Sequence, residues 1–440
     1  MIPFRRRWSV PLALAVPLIR LADTVRQRRC RGLLLALAVP LALAHPVAAR
    51  AAMPAMGEMN MAGGRYLYVW LGDARRHAHD RLAVVDFRPR SPGYGDVLAT
   101  AVVPGRGGVD NEPHHCMISP SRPVVACGGL LSALRNQPGL FFFDISNLLR
   151  PRYMFSRHTA LSAITDDLRP LPGGGFLVSD MGSSTGGSPG RIAELDSHLR
   201  VVHEWPERPP ADGFNPHGIS LRPDLDLMLT SDFVDPASTL NATAGPILFR
   251  SSVRVWDLSQ RTITRTIPLP AGTGTMDVKL IPGNPDGLAY TAGLLDGRLY
   301  LVDPRAGSAR PVLDLHRAVP DASPQVMVLS PDGRRLFVPL HGGIAMLDIT
   351  EPDMPRVLDV AKLSADAGPH DTLLTRDGRL VVTDYFLDED GFGKVHADGD
   401  HRVRVFDVGA RTLREDARFD LDFDRAVPGL RLRPHGTDAL

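Results

Sequence analysis

Internal repetition constrains this chain more than any other feature. Six stretches share one layout: an inner strand, a turn rich in Pro, Asp and Gly, a second strand, then a third strand ending in aspartate. They are PHHCMISPSRPVVACGGL (113–130) with GLFFFDIS (139–146), HTALSAITDDLRPLPGGGFLVSDMG (158–182) with GRIAELDS (190–197), and PHGISLRPDLDLMLTSDF (216–233) with SSVRVWDL (251–258). The series continues with TMDVKLIPGNPDGLAYTAGL (275–294) and GRLYLVDP (297–304), PQVMVLSPDGRRLFVPLH (324–341) and GGIAMLDI (342–349), and PHDTLLTRDGRLVVTDYF (369–386) and HRVRVFDV (401–408). Each unit ends in a fourth apolar strand, such as TITRTIPL or PRVLDVAKL. The first turn carries P-D-G or its kin, residues that set turn dihedrals. A four-stranded unit of this size cannot bury its own faces and must stack on its neighbours.

The N-terminal runs RYLYVWLGD, DRLAVVDF and GDVLATAVV read as strands two to four of a seventh unit. Its missing first strand is the C-terminal RPHGTDAL (433–440). A unit built from both chain ends closes a ring. Spread over seven units, residues 65–440 give about 54 residues each, a reasonable blade. The expected fold is all-β: a seven-bladed β-propeller, residues 65–440, with N- and C-terminal strands sharing one blade. Composition agrees, since 41 Gly and 39 Pro accompany a hydrophobic share of 44%. The net charge of +1 argues against a broadly basic nucleic-acid surface.

Residues 1–50 read as an export signal. The apolar run 33–44 follows Arg26, Arg28, Arg29 and Arg31, and small residues near Ala49 suit cleavage. The run is shorter than the roughly 20 residues of a membrane span. A second signal-like piece upstream suggests that translation starts near Val25. Export implies a periplasmic protein whose mature chain keeps only Cys116 and Cys127, in an oxidising compartment. Residues 51–64 form a flexible linker carrying Met53, Met56, Met59 and Met61. Thioethers suit Cu(I), so this segment is a candidate contact for a copper donor protein, although an unstructured tail behind a cleavage site has the same composition.

The first residue of each inner strand should lie at one mouth of the central channel. Around the ring that position reads His114/His115, His158, His217, Asp277, Gln325, His370 and His435. A single histidine there is as readily a satisfied core residue. Histidine in five of seven blades instead points to a metal, because neutral imidazole is the commonest borderline ligand. Counting about the first turn sets His217 opposite Asp232 and His370 opposite Asp384, pairs that would act as acid/base groups behind the ligands. The same count sets Cys127 opposite Cys116. Opposed Cβ atoms lie about 4.5–5.5 Å apart against about 3.8 Å in a relaxed disulfide, so the pair is within reach and the bond is left open. Strand alternation places His115 and Cys116 on opposite faces.

Several runs resemble the selenium-binding protein / methanethiol oxidase family: RLAVVDFRPRSPGYGDVLATAVVP, NEPHHCMISP with ACGG, RVWDL, PDGRRLFVPLHGGIAMLDITEPDMPRVL and the C-terminal histidine. The resemblance implies a seven-bladed propeller that binds copper at a channel-mouth histidine cluster. It also implies an exported enzyme oxidising methanethiol with oxygen and water to formaldehyde, hydrogen sulfide and hydrogen peroxide. The implied ligands fall on His114, His115, His158 and His435. The chain departs from the pattern in Met117–Cys127, which lacks the family's Trp and paired cysteines, and in AITDDLRP (163–170), where histidines are expected. The leading expectation is a copper-dependent oxidase of small thiols using O2, with His217, Asp232, His370, Asp384 and Cys127 as candidate catalytic residues. The rivals are a non-catalytic propeller that binds copper or a protein partner, and a metal-dependent lactonase-type hydrolase.

Overall fold

The computed structural model describes residues 64–240, 245–384 and 399–440. The export signal, the Val25 start and the four clustered methionines lie outside the described residues. Seven small antiparallel sheets form a seven-bladed propeller with negligible helix. Blade 1 orders its strands Leu432–Ala439, Tyr66–Asp73, Arg81–Asp86 and Val97–Val102, so the last strand of the chain is its innermost. The inner strands of blades 2 to 7 are Pro113–Ile118, Ser162–Pro170, Pro216–Arg222, Thr275–Leu280, Val328–Leu329 and Pro369–Leu374.

The second and third strands of a blade are buried on both faces, which explains why they read as unbroken apolar runs such as LAVVD and LFFFD. Successive side chains of one strand serve two different cores. Leu67, Val69 and Leu71 pack with Val381, Val403, Val405 and Phe423 of blade 7. Tyr68 and Trp70, on the same strand, pack with Phe141 and Phe143 of blade 2. The same division recurs at every other junction between neighbouring blades. Each fully buried Val, Leu or Phe contributes about 1.5–3 kcal/mol relative to exposure, so the ring is held by its inter-blade seams. The repeated aspartate at the end of the third strand caps the following turn: Asp144 accepts from Ser146 N at 2.8 Å, Asp257 from Gln260 N at 2.8 Å, and Asp348 from Thr350 N at 3.0 Å.

Closure is made by backbone pairing. Leu432–Ala439 runs antiparallel to Tyr66–Asp73, from Asp73↔Leu432 to Leu67↔Ala439. The carbonyl of Leu440 accepts from Tyr66 N at 2.9 Å.

Cys116 and Cys127 are direct partners across the first two strands of blade 2 and form a disulfide, with Cα atoms 4.1 Å apart. Both are buried in the apolar seam between blades 1 and 2, beside Tyr68, Trp70, Phe141 and Phe143. The candidate catalytic role of Cys127 is therefore corrected: its sulfur is bonded and sits in a hydrocarbon environment. The bond closes a short loop of sequence separation 11. Loop-closure entropy assigns such a crosslink about 3 kcal/mol. A Cys116→Ala/Cys127→Ala double variant should lose stability of that order in denaturant titrations, and non-reducing peptide mapping should recover the linked pair. Free thiols in the native protein would contradict the assignment.

Candidate metal centre

The channel mouth is shaped by β-bulges. In six blades the inner strand shifts register against its partner at the same level. The shifts fall between Pro113 and Cys116, Thr165 and Leu168, Pro216 and Ile219, Thr275 and Val278, Pro369 and Asp371, and opposite Trp70 between Pro434 and Thr437. A bulge breaks alternation and re-aims side chains. The residues it spans are His114 and His115, Asp166 and Asp167, His217, Asp277, His370 and His435. His114 and His115 therefore enter one cluster although neighbours on a regular strand would diverge. Space for this comes from small groups. A Cβ on Gly436 would meet Cys116 N and His114 O at 2.5 Å, so glycine after His435 lets two inner strands touch backbone to backbone.

His114, His115, His370 and His435 each offer a ring nitrogen, all within 4.8 Å of one another, and all four residues are buried. Ring centroids are 4.0 Å apart for His114–His435, 4.5 Å for His114–His115 and 4.7 Å for His370–His435. His370 Nδ1 donates to Gln325 Oε1 at 2.9 Å, which directs Nε2 inward. His115 Nδ1 lies 3.5 Å from Asp371 Oδ1, and Thr437 N donates to Asp371 at 3.2 Å. Burial, reinforced by neighbouring imidazoles, holds His114, His217 and His435 well below the ordinary histidine range. Burial likewise pushes His370 down to about 3. Burial also opposes charge on His115, but Asp371 and then Asp166 outweigh it and push that imidazole up to about 9. His114 Nδ1 and His115 Nε2 are buried without a hydrogen-bond partner. Four converging imidazoles with such nitrogens can hold a metal ion.

The sequence-predicted residues separate into three groups. His114, His115 and His435 lie in the cluster. His370 joins them, whereas the sequence expectation set it behind the ligands. His158 does not: it is exposed, on the connection after the outer strand of blade 2, because the inner strand of blade 3 runs from Ser162 to Pro170. His217 lines the channel beside the cluster, its ring 6.3 Å from His114 and 6.4 Å from His115.

The facing carboxylates are also corrected. The bulges shift register by one, so Asp232 opposes Pro216 and Asp384 opposes Pro369. Asp232 accepts from Asn215 N at 2.9 Å, Ser252 Oγ at 2.7 Å and Arg254 Nε at 2.5 Å. Asp384 accepts from the backbone of Gly368, Asp400 and His401. Both tie chain segments together at the mouth and neither bonds a candidate ligand.

Asp166 and Asp371 are the site residues that the histidine alignment missed, and Gln325 stood in it as a channel-mouth position without a role. Aligning instead on the second-strand aspartates Asp180, Asp232 and Asp384 sets Asp166, His217 and His370 at one position, since Asp180 pairs with Thr165 as Asp232 pairs with Pro216.

No family model matches the chain. A methanethiol oxidase of Hyphomicrobium sp is 23% identical over 392 residues, covering 83% of this chain and 85% of that protein. Selenium-binding protein 2 of Mus musculus is 24% identical over 319 residues, covering 64% of this chain and 65% of that protein. Among solved structures, a hypothetical selenium-binding protein from Sulfolobus tokodaii superposes with a TM-score of 0.71 at 16% identity, over 87% of this chain and 94% of that one. The periplasmic gluconolactonase of Pseudomonas aeruginosa superposes at 0.54 and 15% identity, over 84% and 98%. The two structural matches establish the fold. The sequence matches show the likeness to methanethiol oxidases and selenium-binding proteins that the motifs suggest.

Replacing ligands one at a time checks the set. His370→Ala and His435→Ala should each weaken Zn²⁺ or Cu²⁺ binding by at least about 10–100-fold in calorimetric titration, while His158→Ala stays at the wild-type value. The reverse ranking would restore His158 to the centre. A second test uses pH. His115 near 9 is protonated at neutral pH, so metal entry must displace its proton. Affinity should rise with pH up to about 9, and titrations at pH 7.5 in buffers of different ionisation enthalpy should report roughly one proton released or more. The metal-free protein should behave oppositely. A histidine raised from 6.5 to about 9 contributes stability that is full below 6.5 and is lost as pH rises through 9.

Proposed function

We propose that the protein is an exported, copper-dependent oxidase of small thiols, acting on methanethiol, oxygen and water to give formaldehyde, hydrogen sulfide and hydrogen peroxide. The observation that carries the reading is the buried four-imidazole cluster in a chain similar to methanethiol oxidases. His114, His115, His370 and His435 are the residues that would hold copper. Bound copper supplies one-electron redox chemistry and acidifies a coordinated thiol.

The chain's own residues orient the ligands and keep water out. Gln325 and Asp371 fix the imidazoles of His370 and His115 from behind. An apolar cluster of Leu130, Leu131, Ile164, Met181 and Val234 includes Phe233 at its edge, and the Phe233 ring lies 5.1 Å from that of His217. Such a wall favours a small apolar thiol over a charged one. Export is supported by the basic and apolar pattern of residues 26–51 and by a buried disulfide, a bond suited to an oxidising compartment. The methionines at 53, 56, 59 and 61 would then face a copper donor protein in the periplasm.

A periplasmic gluconolactonase shares this fold, so the fold alone does not separate the oxidase reading from a lactonase one. An imidazole-dominated donor set favours copper over that chemistry.

Protein recovered from the periplasm and loaded with copper should convert methanethiol to the three products in equal amounts. His115→Ala and His435→Ala should lower that turnover by roughly 100-fold or more. Stoichiometric copper without thiol turnover would instead favour the non-catalytic copper-binding reading.

A further inference from the structure

Five aspartates, the buried Asp166, Asp167, Asp277 and Asp371 and the half-buried Asp438, line or flank the channel near the histidines. Four of them have hydrogen-bond donors. Asp167 accepts from Ile219 N and Arg169, each at 2.8 Å. Asp277 accepts from Val278 N, Lys279 Nζ and Met327 N, each at 2.8 Å. Asp371 takes Thr437 N at 3.2 Å, and Asp438 takes Ile118 N at 2.7 Å. Asp166 differs. Its side chain is fully buried, and both carboxylate oxygens lack a hydrogen-bond partner.

What surrounds Asp166 is imidazole. Oδ2 is 3.2 Å from His217 Nε2 and 3.5 Å from His114 Nε2, and Oδ1 is 3.8 Å from His115 Nε2. Donor atoms bound to one small divalent ion at about 2.0–2.1 Å sit roughly 3–3.5 Å from each other. The two contacts to cluster histidines are close to that spacing. The bulge between Thr165 and Leu168 is the device that turns Asp166 inward, as the equivalent bulge turns His114 and His115. A buried carboxylate without donors opposes folding unless a cation meets it or a proton neutralises it.

We propose that Asp166 is a carboxylate ligand of the metal held by His114, His115, His370 and His435, and that it selects a divalent over a monovalent ion. This rests on reading the histidine cluster as a metal centre, and it makes the centre a mixed imidazole–carboxylate site. A hard, anionic oxygen strengthens the hold on Cu²⁺ or Zn²⁺ and adds little for soft Cu⁺. His217 Nε2, outside the four-imidazole cluster, lies against Asp166 Oδ2 at 3.2 Å.

The test titrates metal-free full-length mature protein with Zn²⁺ and Cu²⁺, and with Cu⁺ under a competing chelator, for wild type and Asp166→Asn. The variant should lose at least about 10–100-fold in affinity for the divalent ions but under about threefold for Cu⁺. The Cu²⁺ electron paramagnetic resonance spectrum should change its hyperfine splitting, a readout independent of turnover. Metal-free Asp166→Asn should melt no lower than metal-free wild type, because neither carboxylate oxygen accepts a hydrogen bond that the substitution would break. If Asp166→Asn does not fold, Asp166→Ser removes the same carboxylate with less bulk. Infrared difference spectra of wild type with and without Zn²⁺ should also show a carboxylate stretch responding to the ion. Equal divalent affinity and a superimposable spectrum in the variant would overturn the proposal while leaving the metal centre standing. A wild-type protein that binds none of these ions would overturn both.

Discussion

A repeated backbone irregularity governs this centre. On a regular strand, His115 would point away from His114, and each blade could offer the channel only alternate residues. The bulge at the mouth of six inner strands gives up a ladder pairing and in return re-aims the residues it spans. The residues facing these bulges across the blade include Gly128, Ser179, Ser231 and Ala292, small groups that leave room for the inner strand to swing. Chemistry at the mouth is thus coded partly by which residues fall in the bulge and partly by what their partners lack.

The electrostatics follow from that crowding. Imidazoles packed within a few ångströms in a buried cluster cannot all carry charge, and burial with mutual repulsion keeps His114, His217, His370 and His435 neutral. Neutral rings keep lone pairs free for a cation. His115 is the exception because Asp371 stands against its Nδ1. One carboxylate therefore stores a proton on the ligand that a metal must displace. Burial pushes the Asp166 carboxyl, which lacks a hydrogen-bond donor, up to about 8, so it too keeps its proton at neutral pH until a cation replaces it. A site with neutral imidazoles, a protonated imidazole and a carboxyl whose charge burial suppresses is arranged for an incoming cation more than for the empty protein.

The fold was legible because its physics is repetitive. Every junction needs apolar residues on both faces of the middle strands, the third strand ends in a turn-capping aspartate in six of the seven blades, and the closing strand must resemble the inner strands it replaces. Those requirements leave marks such as LAVVDF, RVWDL and RPHG. The site was legible only in part. Histidine spacing located His114, His115 and His435, but counting across turns assumed unbroken ladders. The bulges shift that count by one, so Asp232 and Asp384 meet backbone amides instead of imidazoles. The same count worked for Cys116 and Cys127 because both lie past the bulge, where pairing is regular again. His158 misled because blade 3 has the longest of the inner strands, nine residues, which moves its channel position to Asp166.

The distribution of the four imidazoles around the ring ties binding to folding. His370 belongs to blade 7, His435 to the closing strand of blade 1, and His114 and His115 to blade 2. The cluster therefore straddles the one blade whose strands come from opposite chain ends. Nothing covalent holds Leu432–Ala439 in place. It is kept by its pairing with Tyr66–Asp73, by its apolar contacts, and by the Arg433–Glu112 ion pair at 2.9 Å. A metal held by this set links the closing strand to the blades on both sides. Because the unfolded chain has no such site, the free energy of binding becomes free energy of closure. Metal loading and completion of the ring would for that reason be one coupled equilibrium, because the strand Leu432–Ala439 carries both the closing pairing and the candidate ligand His435.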